Sequence, residues 1–378
     1  MGKTITFVGD VMLGRVVGAK YHNQPYDVVS QELTGIIKDS DYVIANLESP
    51  VVETAESEGD HLQFVGNPDI LPSLKWINCF SLSNNHINDC GNLGMDETVE
   101  ILDKYGFQHN GLYKEDYKPL IIDEAEKIAL VTVTDMMNIP FDNECQWKTL
   151  RVGDNEVFDI LSDLKKKGYF VILFAHIGIL FSRYPNPVTY EYLHQCVDHG
   201  ASLIVTVHSH CLGCMETYHG VLEFHSLGDF VMDGSSFRRR RSGILKVCID
   251  EQEVTKWEII PAEINVNCET VAPTKKVHDK MLKSFSSVSQ RVEKHKDNYK
   301  AFFKNQYKVE MMLHSMSTVS FLTKTRGLRG MLSLLFKRLQ DVKMVTGWLM
   351  KDRSNDQRDD DAIRADRKKF KQDELFKS

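Results

Sequence analysis

The sequence predicts an α/β domain over residues 1–265, followed by a basic, mainly helical region over residues 266–378. Three observations carry that prediction. Short, β-branched apolar runs alternate with helix-compatible segments until about residue 260 and then stop. Charge divides at the same place: residues 266–378 hold 25 Lys and Arg against 14 Asp and Glu, net +11, which leaves 21 against 39, net −18, for residues 1–265. Finally, Asp, Glu, Asn and His recur where the strands of the first part would end.

Taken in order, the strand-like runs are Thr4 to Gly9, Tyr42 to Asn46, Phe80 to Ser83, Ile128 to Thr134, Phe170 to Ala175, Leu203 to Val207, Val221 to His225, Ile244 to Ile249 and Lys256 to Ile260. Helical patterns lie between several of them, at Tyr26 to Lys38, Gly94 to Tyr105, Asp154 to Lys167 and Thr189 to His199. Past Asn267 the segments are long, basic and helix-compatible, and the last of them, DRSNDQRDDDAIRADRKKFKQDELFKS, is polar enough to be solvated helix or disorder. No internal repeat is evident.

Composition removes several classes of protein. Of the 378 residues 42% are hydrophobic and 26% charged, ordinary globular usage that excludes wholesale disorder and fibrous architectures. Eight scattered cysteines lack the density of a disulfide-stapled scaffold, and the single CxxC at Cys211 and Cys214 falls short of the four ligands of a structural zinc. The opening MGKTITFVGD has an apolar run too short for a signal peptide, and no stretch reaches the ~20 apolar residues of a membrane span. A cytoplasmic protein is expected. Nucleic acid is not expected as a partner.

In open α/β sheets, ligands bind outside the carboxyl ends of the strands, where loops converge. The first strand here ends in Gly9-Asp10, the second in Asn46-Leu47-Glu48, and the third in Asn84-Asn85-His86 with Asp89 close behind. The fifth ends in His176 and the sixth in His208-Ser209-His210. An isolated Asp or Asn is more often a cap or turn former, and a lone histidine more often a satisfied core residue. Five strand ends carrying carboxylate, amide and imidazole together are better explained by one shared metal site, and that mixture of ligands suits Mn, Fe or Zn. Alternate residues of a strand point to opposite faces, so both histidines of the HxH reach one site only where the chain leaves the strand.

The ordered set GDVMLGR, VIANLESPV, LSNNHINDCGNLG, FAHIG, VTVHSH and HSLGDF, between Ile5 and Asp233, resembles the CapA family. That family is linked to poly-γ-glutamate capsule synthesis and related to calcineurin-like metallophosphoesterases. The resemblance implies a four-layer αββα metallophosphoesterase-like sandwich, here with a helical C-terminal extension. It implies two divalent metal ions: Asp10 on the first, Glu48 bridging, Asn85, His176 and His208 on the second, and His210 returning to the first. His86, with Asp89 beside it, would stand outside the ligand sphere as the catalytic group, donating a proton or stabilising charge on a leaving oxygen.

The chain departs from the family pattern in places. Met12 stands where the phosphoesterases carry histidine, as is usual in CapA proteins. The usual HWGxEY reads His176-Ile177-Gly178-Ile179-Leu180-Phe181, the usual GHHPH reads Thr206-Val207-His208-Ser209-His210, and the usual SLGNF carries Asp229. After Phe237 come Arg238, Arg239, Arg240 and Arg241, four guanidiniums suited to bidentate contact with phosphate or polycarboxylate, although such a run also serves as a solvated charged face. With Asn84 and Asp229 they are the expected contacts to an anionic substrate or polymer. Further on, Phe321 to Leu339 interleaves apolar and basic residues, as in an interfacial helix that touches a membrane peripherally, although such a face also serves to pack on its own domain. Two functions follow: a dinuclear metal-dependent hydrolase of a phosphoester or related bond in capsule or extracellular polymer synthesis, or a non-hydrolytic component that handles or assembles the polymer.

Overall fold

A computed structural model describes residues 2–21, 27–55, 63–135, 137–139, 141 and 144–349, with side chains described as far as residue 325. Two sheets form the centre. The first contains β1 (Lys3–Val11), β2 (Tyr42–Leu47), β3 (Cys79–Ser81) and β4 (Gln108–Asn110), all parallel. The second contains β5 (Leu120–Asp123), β6 (Ile128–Thr134), β7 (Phe170–His176), β8 (Leu203–Val207), β9 (Cys214–Tyr218) and β10 (Val221–His225) in the order β5-β6-β7-β8-β10-β9, parallel except at its two edges. The chain then returns to the first sheet through β11 (Asp229–Val231), β12 (Arg241–Asp250), β13 (Glu253–Ile264) and β14 (Thr270–Val271), giving the order β14-β13-β12-β1-β2-β3-β4 with β11 beside the end of β1.

Period-two alternation decides which face each side chain takes. Ile128 and Leu130 of β6 pack toward the first sheet, meeting Ile5, Phe7 and Ile44, while Ala129, Val131 and Val133 face the other way. The outer face of the second sheet is covered by α4 (Asn155–Lys166) through Val157, Leu161 and Leu164, and by α5 (Pro187–Asp198) through Leu193 and Cys196. On the first sheet, Val8, Val43 and Phe80 are covered by α2 (Gln31–Lys38) through Leu33 and Ile37, and by α3 (Gly91–Tyr105) through Ile101 and Leu102. Helix, sheet, sheet and helix make the four layers that the family resemblance implies. One short helix, α1 (Arg15–Tyr21), follows β1.

Differences from the sequence reading have local causes. The helix expected from Tyr26 begins at Gln31, because the Ser30 hydroxyl accepts from Leu33 N at 3.5 Å and caps it; Tyr26 lies outside the described residues. The helix expected from Thr189 begins two residues earlier, since Asn186 caps it by accepting from Thr189 N at 3.0 Å and Pro187 takes the first turn. β4, β5, β9, β11 and β14 carry too few alternating apolar residues to announce themselves.

Two helices follow the sheets, α6 (Lys275–Lys294) and α7 (Tyr299–Leu349). By compactness the chain divides into Met1–Phe321 and Leu322–Ser378, so residues 266–321 belong to the same unit as the sheets. α6 explains why: Met281, Phe285, Val288 and Val292 recur at helical spacing and are buried, with Phe285 among the intersheet residues. In the second unit the backbone is helical to Leu349; the side chains of 326–349, which hold most of the interfacial face expected between Phe321 and Leu339, and residues 350–378, where solvated helix or disorder was expected, lie outside the description. Among the described residues no helix is long and apolar enough to cross a membrane.

Candidate metal centre

The carboxyl ends of β1, β2, β7 and β8 converge with the segment after β3 and the start of β11. Close approach at β1 requires glycine, since a Cβ at Gly9 would overlap the carbonyl oxygen of Gly228. That approach lets Asp10 N donate to Gly228 O at 3.1 Å and sets Asp10 opposite Asp229 in register. Beyond β8 the backbone turns into the left-handed region at His208, φ 96°, and His210, φ 56°. These strained conformations turn both imidazoles of the HxH inward, as the alternation argument requires.

Asp10, Glu48, Asn85, His176, His208 and His210 are all buried and mutually close. His176 Nε2 is 2.8 Å from Asn85 Oδ1 and 2.8 Å from His208 Nδ1, and lies 3.6 Å from Glu48 Oε1. His210 Nε2 lies 3.8 Å from the same Glu48 oxygen, while its Nδ1 is 3.8 Å from Asp10 Oδ2. Potential ligand atoms therefore fall into two groups, Glu48 with His176 and His208, and Glu48 with Asp10 and His210, each spanning no more than 4.8 Å. Glu48 is common to both.

The donor set fits divalent metal. Among the described residues neither buried Glu48 oxygen has a hydrogen-bond donor, a costly arrangement for a carboxylate unless a cation satisfies it. Burial pushes the Glu48 carboxyl well above the usual range, with Asp10 adding repulsion. Burial likewise pushes Asp10 up to about 7, against the attraction of His210 and with the repulsion of Asp229. His176 and His208 are driven well below the ordinary imidazole value by burial, which keeps them in the neutral form that ligates metal.

Around these residues stand groups that hold them in place. Asn46 donates to Asp10 Oδ1 at 2.8 Å and lies 3.0 Å from His176 Nδ1, fixing both; it stood in the strand-end motif without a role of its own. Asp229, expected to meet substrate, instead sits 2.6 Å from His210 Nδ1, which leaves His210 Nε2 toward Glu48. Asn84, also expected to meet substrate, ties the strand ends together by donating to Leu47 O at 2.7 Å and accepting from His86 N at 3.1 Å. His86 is held outside the ligand groups, its Nδ1 2.6 Å from Asp89 Oδ2 and its ring stacked 3.7 Å from that of Phe64. The Asn138 amide nitrogen lies 3.0 Å from its Nε2.

The four arginines do not act as one patch. Arg238 pairs with Glu310, Arg240 bonds the carbonyls of Ile264 and Asn265, and Arg241 pairs with Glu263 at 3.3 Å. Arg239 alone reaches the centre, 3.3 Å from Asp229 Oδ2 and over the Phe181 ring at 5.7 Å. Neighbouring guanidiniums are thus drawn to different partners, three to carboxylates and that of Arg240 to backbone carbonyls.

Residues 4–234 match the family described as Bacterial capsule synthesis protein PGA_cap. The chain belongs to this family. The match spans every position of the metal centre from Asp10 to Asp229. Among similar proteins, "PGA biosynthesis protein CapA" of Bacillus subtilis (strain 168) is 30% identical over 284 residues, 72% of this chain and 73% of that protein. "Capsule biosynthesis protein CapA" of Bacillus anthracis is 25% identical over 276 residues, 69% and 67% of the two chains. A hypothetical protein from Thermus thermophilus aligns over 69% of this chain and 99% of its own, with a TM-score of 0.40 and 15% identity. Sulfate thiohydrolase SoxB aligns over 70% and 46%, with a TM-score of 0.36 and 12% identity. In this PGA_cap chain Met12, at the position of the missing histidine, is fully buried with Phe64, Met232 and Ile264, filling core space instead of offering a ligand.

Proposed function

We propose that this PGA_cap protein is a dinuclear metal-dependent hydrolase that cleaves a phosphoester or related bond in the synthesis of capsule or another extracellular polymer. The observation that carries the proposal is the pair of ligand groups sharing Glu48, whose two buried oxygens lack any other partner among the described residues. Two divalent ions of the Mn, Fe or Zn kind, bound there, would supply Lewis-acid polarisation and neutralise charge on a phosphoryl group. Asp10 and His210 would hold one ion, Asn85, His176 and His208 the other, and Glu48 both.

The chain's own groups supply orientation and the proton. Asp229 fixes His210 through Nδ1, and Asn46 fixes Asp10 and His176. Asp89 holds His86 at Nδ1, which leaves Nε2, beside the Asn138 amide, as the atom that would donate a proton to a departing oxygen. Phe64 covers one face of that imidazole and keeps water from it. Arg239 is the arginine that would meet an anionic substrate or polymer, and a relative named for PGA biosynthesis makes poly-γ-glutamate a polymer to include. The test is turnover of a phosphoester panel by purified protein supplied with Mn²⁺. Metal-dependent hydrolysis supports the proposal; full metal content with no turnover favours the non-hydrolytic role, holding or assembling polymer.

A further inference from the structure

A second group of His and Glu side chains lies outside the strand-end centre, at the β9–β10 edge of the second sheet. Glu216 of β9 and Glu223 of β10 are directly opposite one another in the antiparallel register, and both are buried. Like charges in that position oppose strand pairing, and burial makes the opposition stronger. Glu216 is well supplied with partners: the Tyr190 hydroxyl donates to Oε2 at 2.9 Å, and His225 Nε2 is 2.9 Å from Oε1. Glu223 is not: it is fully buried, and among the described residues neither of its oxygens has a hydrogen-bond donor.

His194 of α5 points into the same space. Its Nε2, buried and without a hydrogen-bond partner among the described residues, lies 3.5 Å from Glu216 Oε1 and 4.0 Å from Glu223 Oε1. Its ring is fixed by stacking on Tyr218, with centroids 3.8 Å apart. Lys296, the nearby cation whose charge favours an ionised Glu223, is held by Glu293 at 2.7 Å and by the Thr217 carbonyl at 2.8 Å. Ligands about 2.0–2.1 Å from a tetrahedral zinc ion stand roughly 3.3 Å from one another, so small side-chain adjustments bring these three atoms onto one cation.

We infer that His194, Glu216 and Glu223 form a separate divalent-metal site of the zinc type, which clamps the β9–β10 hairpin to α5. His225 orients Glu216 from outside the ligand set. Tyr190 and His194 also line a cavity of about 470 Å³. Two oxygens and one imidazole nitrogen leave a fourth position for water, as in other three-ligand zinc sites.

The test is zinc content after equilibrium dialysis of the full-length protein against Zn²⁺, carried out in a Glu48→Ala background so that the strand-end centre does not obscure the result. Glu48→Ala is expected to keep about one equivalent more zinc than Glu48→Ala/Glu223→Gln, and Zn²⁺ is expected to raise the melting temperature of the first and not of the second. His194→Gln in the same background, a change at a partly exposed position, is expected to match Glu223→Gln, with circular dichroism confirming the fold. The comparison reads only the difference between variants, so it stands whether or not Glu48 bridges two metals. Equal zinc content and equal melting shifts across the three proteins would overturn the site and leave a hydrogen-bonded network with Glu223 protonated.

Discussion

His86 is close to the ligand groups without belonging to them, and its two nitrogens have different surroundings. Asp89 Oδ2 lies 2.6 Å from Nδ1, so Nε2 is the nitrogen that a departing oxygen would meet in the proposed reaction. His86→Ala is therefore expected to keep its metal while losing turnover by about 10²–10⁴-fold, as elemental analysis and initial rates would show. Wild-type rates in that variant would remove His86 from the chemistry. Residues at strand ends, from Asp10 to the HxH, were legible because position on a strand already says where a side chain can go. The roles of Asp229 and Arg239 were not. They depend on a turn with Ser226 at φ 64° and Gly228 at φ 82° that folds β11 against β1, and no local pattern encodes which side chain then meets His210.

At the scale of elements, long apolar strands such as β6 and β8 were read to the residue because both their faces are buried. Edge strands were not, since β9 shows a mixed burial pattern and β4 has only three residues. Helices read well where pattern and cap agree, and the arginine loop read poorly because its contacts come from β13 and α7. Glu310 of α7 accepts from Arg183 at 3.0 and 2.8 Å and also pairs with Arg238. Burial would raise its carboxyl, but the hydrogen bonds of Arg183 and the charge of Arg238 hold it below the ordinary value of 4.5. Replacing it with Ala strands two arginines that are only 20% and 16% exposed and is expected to cost about 3 kcal/mol in chemical denaturation. The sign of the pH effect follows from the lowered value. Glu310 contributes its full stability above pH 4.5 and loses it as pH falls through the folded value, so the gap between wild type and Glu310→Gln should narrow on acidification.

For the whole molecule, the opposed charges of the two parts, −18 and +11, have a consequence for partners. An acidic body is repelled by an anionic surface, whereas a basic segment binds it with about 1 kcal/mol per Lys or Arg near the surface. Full-length protein is expected to sediment with anionic vesicles at low salt and not with neutral ones, and replacing Arg326, Arg329, Lys337 and Arg338 by Glu should abolish this. Equal sedimentation of the two proteins would refer the segment to packing within the protein. In the compact unit that holds the candidate metal centre, the proposed function depends on a different feature, the sharing of Glu48 between two ligand groups. Elemental analysis of Glu48→Ala beside wild type tests that sharing most directly. Loss of about two metal equivalents is the predicted result, since in the proposed centre one carboxylate would serve both ions. Unchanged metal content would contradict the dinuclear centre and the hydrolase proposed from it.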